Sequence, residues 1–434
     1  MSSVSDPLTT CSAAEKRHCP DGGRTMSAPL SVRSTSAANA ECSAVEPVAA
    51  ARVCMSGTPP KGAGMGKQLD PPPALALPAA AEPFAAGLRQ RFGGIASLAQ
   101  LADLLGLAGE LSPALCVSAA ITERFLTTTL PTIIDAACSL GGLSGASSIC
   151  LQCAGCAGSL ALPSSSVAAL LASMLLGVAP PLTTPGNPEL DGELLGVRDC
   201  SRLLASSEPR DVAVVAAIEQ YFHAQSWKAP HREASVVCFR RCVLARDVDF
   251  AARSPNPMAP LHLDQCNGAS DAGEMLARPR HGSAFACGAC LEAPTADAVV
   301  CYPELLVGAL LCPALRRDEA LAVSGAEPMP CGACHQPAGT VLLFDPAAPH
   351  ACGEAPPLSA EIWESSLRRD LEKAYCAFSV EGPELGPVSH ALPRRVAVLC
   401  TAPPDADEAA LALEAVIQWL AASEAGRPLR LLRW

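Results

Sequence analysis

One run constrains this chain more than any other: VVCYPELLVGALLC, residues 299–312. It is apolar apart from Glu304, and Pro303 divides it. Proline has no N–H to donate and fixes φ, so it is poorly tolerated inside a helix or a central strand but suits a helix's first turn. The run therefore reads as an apolar segment followed by a helix that opens at Pro303. A loop, residues 293–297, leads into it. A second apolar segment follows and ends on Gly325.

From residue 234 onward, short apolar runs alternate with helical patterns. That alternation is the signature of an α/β layer fold. Strands are expected near residues 235–239, 298–302, 321–325, 340–344 and 395–400. Helices are expected near residues 303–315, 361–375 and 408–423, the last with Leu413, Val416, Ile417 and Leu420 as an apolar stripe. Residues 84–195 are helical in texture instead. There AITERFLTTTLPTIIDAACSL, residues 120–140, reads as a helix broken by Pro131 and resuming with Thr132. Ser164–Ser166 are placed to cap a helix over residues 167–176, with Pro180 as its stop. Residues 1–83 are rich in Ser, Ala, Pro and Gly without periodicity and read as disordered.

Composition narrows the function classes. The net charge is −12, which argues against a general nucleic-acid binder, since such binding neutralises phosphates with Lys and Arg. The pairs at Arg240–Arg241, Arg316–Arg317, Arg368–Arg369 and Arg394–Arg395 read as solvated surface. The most apolar run, residues 167–179, is one helix long and too short for a membrane span. The first residues are polar with no apolar leader, so a nuclear or cytoplasmic, non-secreted protein is expected. The 22 cysteines then read as free thiols or metal ligands.

Three segments carry a resemblance to a known family: VVCYPELLVGALLC, DEALAVSGAEP (residues 318–328) and LRRDLEKAYCAF (residues 367–378). In order, they resemble segments of the poly(ADP-ribose) glycohydrolase family. Residues 129–140 and 160–180 resemble that family's helical accessory region, and the Tyr221–Phe222 pair resembles the end of the helix that links it to the catalytic domain. The resemblance implies a macrodomain-like three-layer α/β/α core over residues 196–434. An all-helical accessory domain, residues 84–195, would precede it, after the disordered N-terminal segment.

The implied chemistry is hydrolysis of ribose–ribose O-glycosidic bonds in ADP-ribose polymers. That needs a proton for the departing oxygen and stabilisation of an oxocarbenium-like sugar, normally from carboxyl groups. In the family an adjacent glutamate pair before the PELL helix supplies them. Here the matching positions are Thr295 and Ala296, which leaves Asp297 and Glu292 as the nearby acids. Gly288 stands where the family has a run of three glycines that lets a diphosphate approach backbone amides. Ala326–Glu327 match the family just before a tyrosine-rich segment that packs on its ligand; residues 328–341 here have no such ring, and Glu327 reads first as a structural acid at a strand end and second as a ligand contact. The loop at residues 401–407, which in the family is a Gly-rich phosphate contact, carries Pro403, Pro404, Asp405 and Asp407 instead.

Cysteine spacing adds a metal reading. Cys287 and Cys290 form one CxxC pair, and Cys331 and Cys334 form another. Four thiolates are a sufficient set for tetrahedral zinc. His335 and Cys352 are spare ligands. Cys150, Cys153 and Cys156 form a CxxCxxC without an evident fourth ligand. Cys331–His335 also spells the c-type haem attachment pattern, which the missing export signal argues against.

Three functions stay open at this point. The first is a hydrolase acting on ADP-ribose polymer or ADP-ribosylated protein without a cofactor, through Asp297 or Glu292. The second is a catalytically inactive relative that binds ADP-ribose or serves as a protein-interaction module. The third is a cysteine-rich zinc protein on the same scaffold.

Overall fold

Eight strands form one mixed sheet, and two shorter ones, β1 (Ala74–Ala76) and β2 (Ser148–Cys150), form an antiparallel ribbon. The computed structural model describes residues 74–107, 111–142, 148–152, 155–181, 200–223, 235–244, 261–265, 275–279, 299–312, 315–316, 318–329, 340–344, 360–379, 396–400, 408–425 and 429–433. All of them belong to one unit, Ala49–Trp434.

The strands of the large sheet are β3 (Gly158–Pro163), β4 (Val236–Val243), β5 (Leu261–Gln265), β6 (Met275–Pro279), β7 (Glu319–Ser324), β8 (Thr340–Phe344), β9 (Val396–Cys400) and β10 (Leu429–Arg433). Their spatial order is β3-β4-β7-β8-β6-β9-β10-β5. The first three pairings are antiparallel. The remaining four are parallel, so β8, β6, β9, β10 and β5 share one direction.

Helices cover the sheet on both sides at β7. Successive side chains of a strand point to opposite faces. Leu321 and Val323 therefore join the large apolar cluster, while Ala320 and Ala322 join a second one. The large cluster includes residues of α1 (Ala81–Phe92), α2 (Leu98–Leu105), α3 (Pro113–Cys116), α5 (Leu130–Cys138), α6 (Ser164–Leu175), α7 (Pro209–His223) and α8 (Leu305–Leu311). The second is built on α9 (Ala360–Phe378) and α10 (Glu408–Glu424). Small residues at the second contact, Ala374, Ala377, Ala421 and Ala422, let helix and sheet backbones approach closely. A chain with 4% aromatic residues builds its core this way.

The fold is mixed helix and sheet, as expected, and several elements fall where the sequence put them. β8 spans the expected five residues. α9 and α10 contain the expected helices. β7 ends at Ser324, and Gly325 follows with φ +80°. A Cβ on Gly325 would collide with the carbonyl oxygen of Val236, so only glycine fits this crossing.

Other expectations are corrected. Pro131 does not break its helix. A five-residue π-helical turn, Phe125–Thr129, joins α4 (Ala119–Arg124) to α5, with Pro131 in the first turn of α5. The Leu130 N–H donates to the Phe125 oxygen, and this wider turn accommodates a proline that has no N–H and crowds the preceding turn. α6 begins at Ser164 without a side-chain cap, because its N-cap residue is Pro163, which has no side-chain acceptor to offer; the Ser164 hydroxyl faces that of Ser235 at 2.7 Å. Its end is set by Gly177, φ +63°, rather than Pro180. The Gly177 and Val178 N–H groups donate back to Met174 and Ser173, a glycine C-cap.

The strand expected at residues 298–302 is not one: Val299–Cys301 are helical. Short apolar runs do not distinguish strand from buried helix by period. α8 stops at Leu311, before Pro313, and not at Leu315. On α10, Ile417 is buried but Val416 and Leu420 are 46% and 40% exposed. Gln418, Ala421 and Ala422 are buried instead, so the buried face is rotated from the expected stripe. The expected disorder reaches to residue 83, yet residues 74–76 pair with β2 and α1 starts at Ala81. Residues 1–73 lie outside the described residues.

Candidate functional site

Parallel pairing fixes where the candidate loops leave the sheet. β6 pairs with β9 in the register Ala277↔Val398, and with β8 in the register Pro279↔Phe344. Their carboxyl ends, Pro279, Phe344 and Cys400, therefore share one edge. The chain departs from β6 towards Gly288, Glu292, Thr295, Ala296 and Asp297, and from β9 towards Pro403, Pro404, Asp405 and Asp407. Those residues lie outside the described residues. In open α/β sheets this carboxyl edge is where ligands bind.

Two strands of the described fold lead towards the expected zinc ligands. Cys287 and Cys290 follow the carboxyl end of β6. Cys331 and Cys334 follow β7, which runs antiparallel to β8 and so ends at the opposite edge. The strands that lead to the two pairs therefore point away from each other. Cys287, Cys290, Cys331 and Cys334 all lie outside the described residues, as do His335 and Cys352. Among the described residues, no group of three or more His, Cys, Asp or Glu could hold a metal ion.

Glu327 is the candidate residue that the structure describes, and it is half-buried just after Gly325. Its backbone N–H donates to Glu304 Oε2 at 2.8 Å. Tyr221, at the end of α7, donates its hydroxyl to Glu304 Oε1 at 3.0 Å. Glu304 and Tyr221 are 1% and 0% exposed. The carboxylate thus joins three parts of the chain: the turn before α8, the exit of β7 and the end of α7. The same turn is closed by the Leu305 N–H on the Tyr302 oxygen, and the Met329 N–H donates to Cys301.

A second buried polar node was read from sequence as surface. Arg241 is fully buried and pairs with Glu319, also fully buried. Strand alternation explains this. Arg241 shares a face with Val237 and Phe239, and Glu319 with Leu321 and Val323, so both point into the large cluster. Arg240 sits on the other face and is half-buried.

The node binds residues around the CLQCAGC motif to the sheet. Arg241 Nη1 donates to the Gln152 carbonyl at 2.7 Å, and its N–H donates to Gln152 Oε1 at 2.8 Å. Gln152 Nε2 donates to the Phe239 carbonyl at 2.6 Å. Glu319 accepts the N–H of Gly155 and, at 2.7 Å, that of Arg316. Lys373, fully buried on α9, donates to the Arg316 carbonyl. Of the motif's cysteines, Cys150 is half-buried, Cys156 is exposed and Cys153 lies outside the described residues. Arg316 and Arg368 are exposed, and Arg368 pairs with Glu372.

Two other thiols are withdrawn from solvent, Cys376 buried and Cys242 half-buried. Burial pushes the Cys242 thiol up to about 12, partly offset by the Arg240 charge. Burial also holds Cys376 well above its ordinary value, with Cys242 as a lesser cause. Such groups stay protonated at neutral pH and are poor nucleophiles and poor metal ligands.

Sequence reasoning missed Glu304, Tyr221, Arg241, Glu319, Gln152 and Lys373. One signal was available for Glu304, the sole charge in residues 299–312. For Arg241 and Glu319 the signal was their inward parity within apolar strands. No protein-family model and no curated protein matches the chain. Among the described residues, no helix is long and apolar enough to cross a membrane.

Proposed function

We propose that the chain is a poly(ADP-ribose) glycohydrolase-type protein that hydrolyses ribose–ribose O-glycosidic bonds in ADP-ribose polymers. Its core is read as macrodomain-like over residues 196–434, with residues 84–195 as the accessory part, which is not all-helical because it also carries β2 and β3. The supporting observation is the parallel pairing of β6 with β9. The two segments that the family resemblance assigns to the ligand leave adjacent strands at one carboxyl edge, as a shared diphosphate site requires.

In this reading Asp297 or Glu292 delivers the proton to the departing ribose oxygen and a carboxylate steadies the oxocarbenium-like sugar. Gly288 admits the diphosphate to backbone amides. No cofactor takes part. The partners are ADP-ribose polymer or ADP-ribosylated protein, met in the nucleus or cytoplasm.

A second reading is favoured by specific residues. Thr295 and Ala296 hold the acid positions, and Pro403 and Pro404 lack the N–H donors a phosphate loop offers. They describe a catalytically inactive relative that still binds ADP-ribose or acts as an interaction module. A polymer-release assay with Glu292→Ala and Asp297→Ala tests hydrolysis. Calorimetric titration with ADP-ribose separates binding from its absence.

A further inference from the structure

We infer that Glu304 is a positioning residue, which holds the turn at residues 302–306 through the Tyr221 hydroxyl and the Glu327 amide. The geometry is direct: 3.0 Å to one donor, 2.8 Å to the other, in a site closed to solvent. Hydrogen bonds to a charged group are among the stronger ones, and losing the acceptor leaves buried donors unsatisfied. Two distant elements thereby fix the short stretch that follows the candidate acids. Asp297 precedes Tyr302 by five residues in the chain, and Glu292 by ten.

The catalytic consequence rests on the proposed function; the anchoring itself does not. Hydrogen exchange on the full chain reads the anchoring. Tyr221→Phe removes one donor, and Glu304→Leu removes the acceptor for both. Glu304→Gln keeps both contacts, because its carbonyl can accept from Glu327 and its amide can donate to the Tyr221 oxygen. Exchange over residues 299–306 and 326–329 is expected to rise about tenfold in Tyr221→Phe and more in Glu304→Leu. It stays near wild type in Glu304→Gln, and residues 408–424 are unaffected in all three.

Unchanged exchange in residues 299–306, or an equal rise in residues 408–424, overturns the inference. If Glu304→Leu does not fold, the comparison of Tyr221→Phe with Glu304→Gln decides it. A parallel polymer-release measurement should show kcat falling in Tyr221→Phe with KM little changed. A wild-type chain that releases nothing refutes the hydrolytic reading and leaves the exchange result to decide the anchoring.

Discussion

Arg241 and Glu319 form an ion pair in which neither side chain has any contact with solvent. The two are not equivalent. Glu319 also accepts the backbone N–H groups of Gly155 and Arg316, so removing it strips the guanidinium of its counter-charge, leaving its Gln152 contact, and takes the acceptor from two amides. Removing Arg241 leaves a carboxylate that keeps those two donors. Breaking a buried pair from one side costs about 3–5 kcal/mol. Glu319→Ala is expected at or above the upper end, and Arg241→Met below it. The midpoints of urea unfolding check the order.

Gly325 and Gly106 both have positive φ, at +80° and +67°. They differ in surroundings. A Cβ on Gly106 meets nothing within 4 Å, whereas on Gly325 it runs into the Val236 carbonyl. Gly106→Ala is expected to cost about 1–2 kcal/mol, the left-handed penalty alone. Gly325→Ala adds displacement of β4 from β7 and should cost clearly more. Thermal unfolding of the two variants measures the difference.

These two cases show what was legible in the sequence. Gly325 was read as the end of an apolar segment, because glycine after a β-type run is a local signal. The Arg240–Arg241 pair was read as surface, because its partner Glu319 is 78 residues away. The strand register, not the local sequence, decides which arginine turns inward. β5, β6 and β10 escaped notice for a related reason. LHLDQ, MLARP and LRLLR are short and interrupted by polar residues, and parallel partners supply what their own pattern lacks. The Glu304 contacts were invisible in the same way, since Tyr221 lies 83 residues earlier.

Cys242 gives a pH prediction. Its folded value is pushed from the ordinary 9.0 up to about 12. Above pH 9 the unfolded chain loses the thiol proton while the folded chain keeps it. Folded-state stability is therefore fully present below about pH 9 and is lost as pH rises towards 12. Cys376 shifts in the same direction. Cys242→Ala should flatten the alkaline limb of unfolding free energy against pH.

The same burial sorts the thiols by reactivity. Cys116 and Cys156 are exposed, Cys242 is half-buried and Cys376 is buried. Brief alkylation of the native protein at pH 8 should label the first two fully, Cys242 slowly because its thiol stays protonated, and Cys376 not at all. Unfolding in urea should equalise all four. Peptide mass mapping reads the result.

Release of ADP-ribose from its polymer by the purified full chain tests the account most directly. The proposal predicts measurable release that the Glu292→Ala, Asp297→Ala double variant abolishes while its unfolding free energy stays within about 0.5 kcal/mol of wild type. No release at high protein concentration, or release that survives the double substitution, would contradict it.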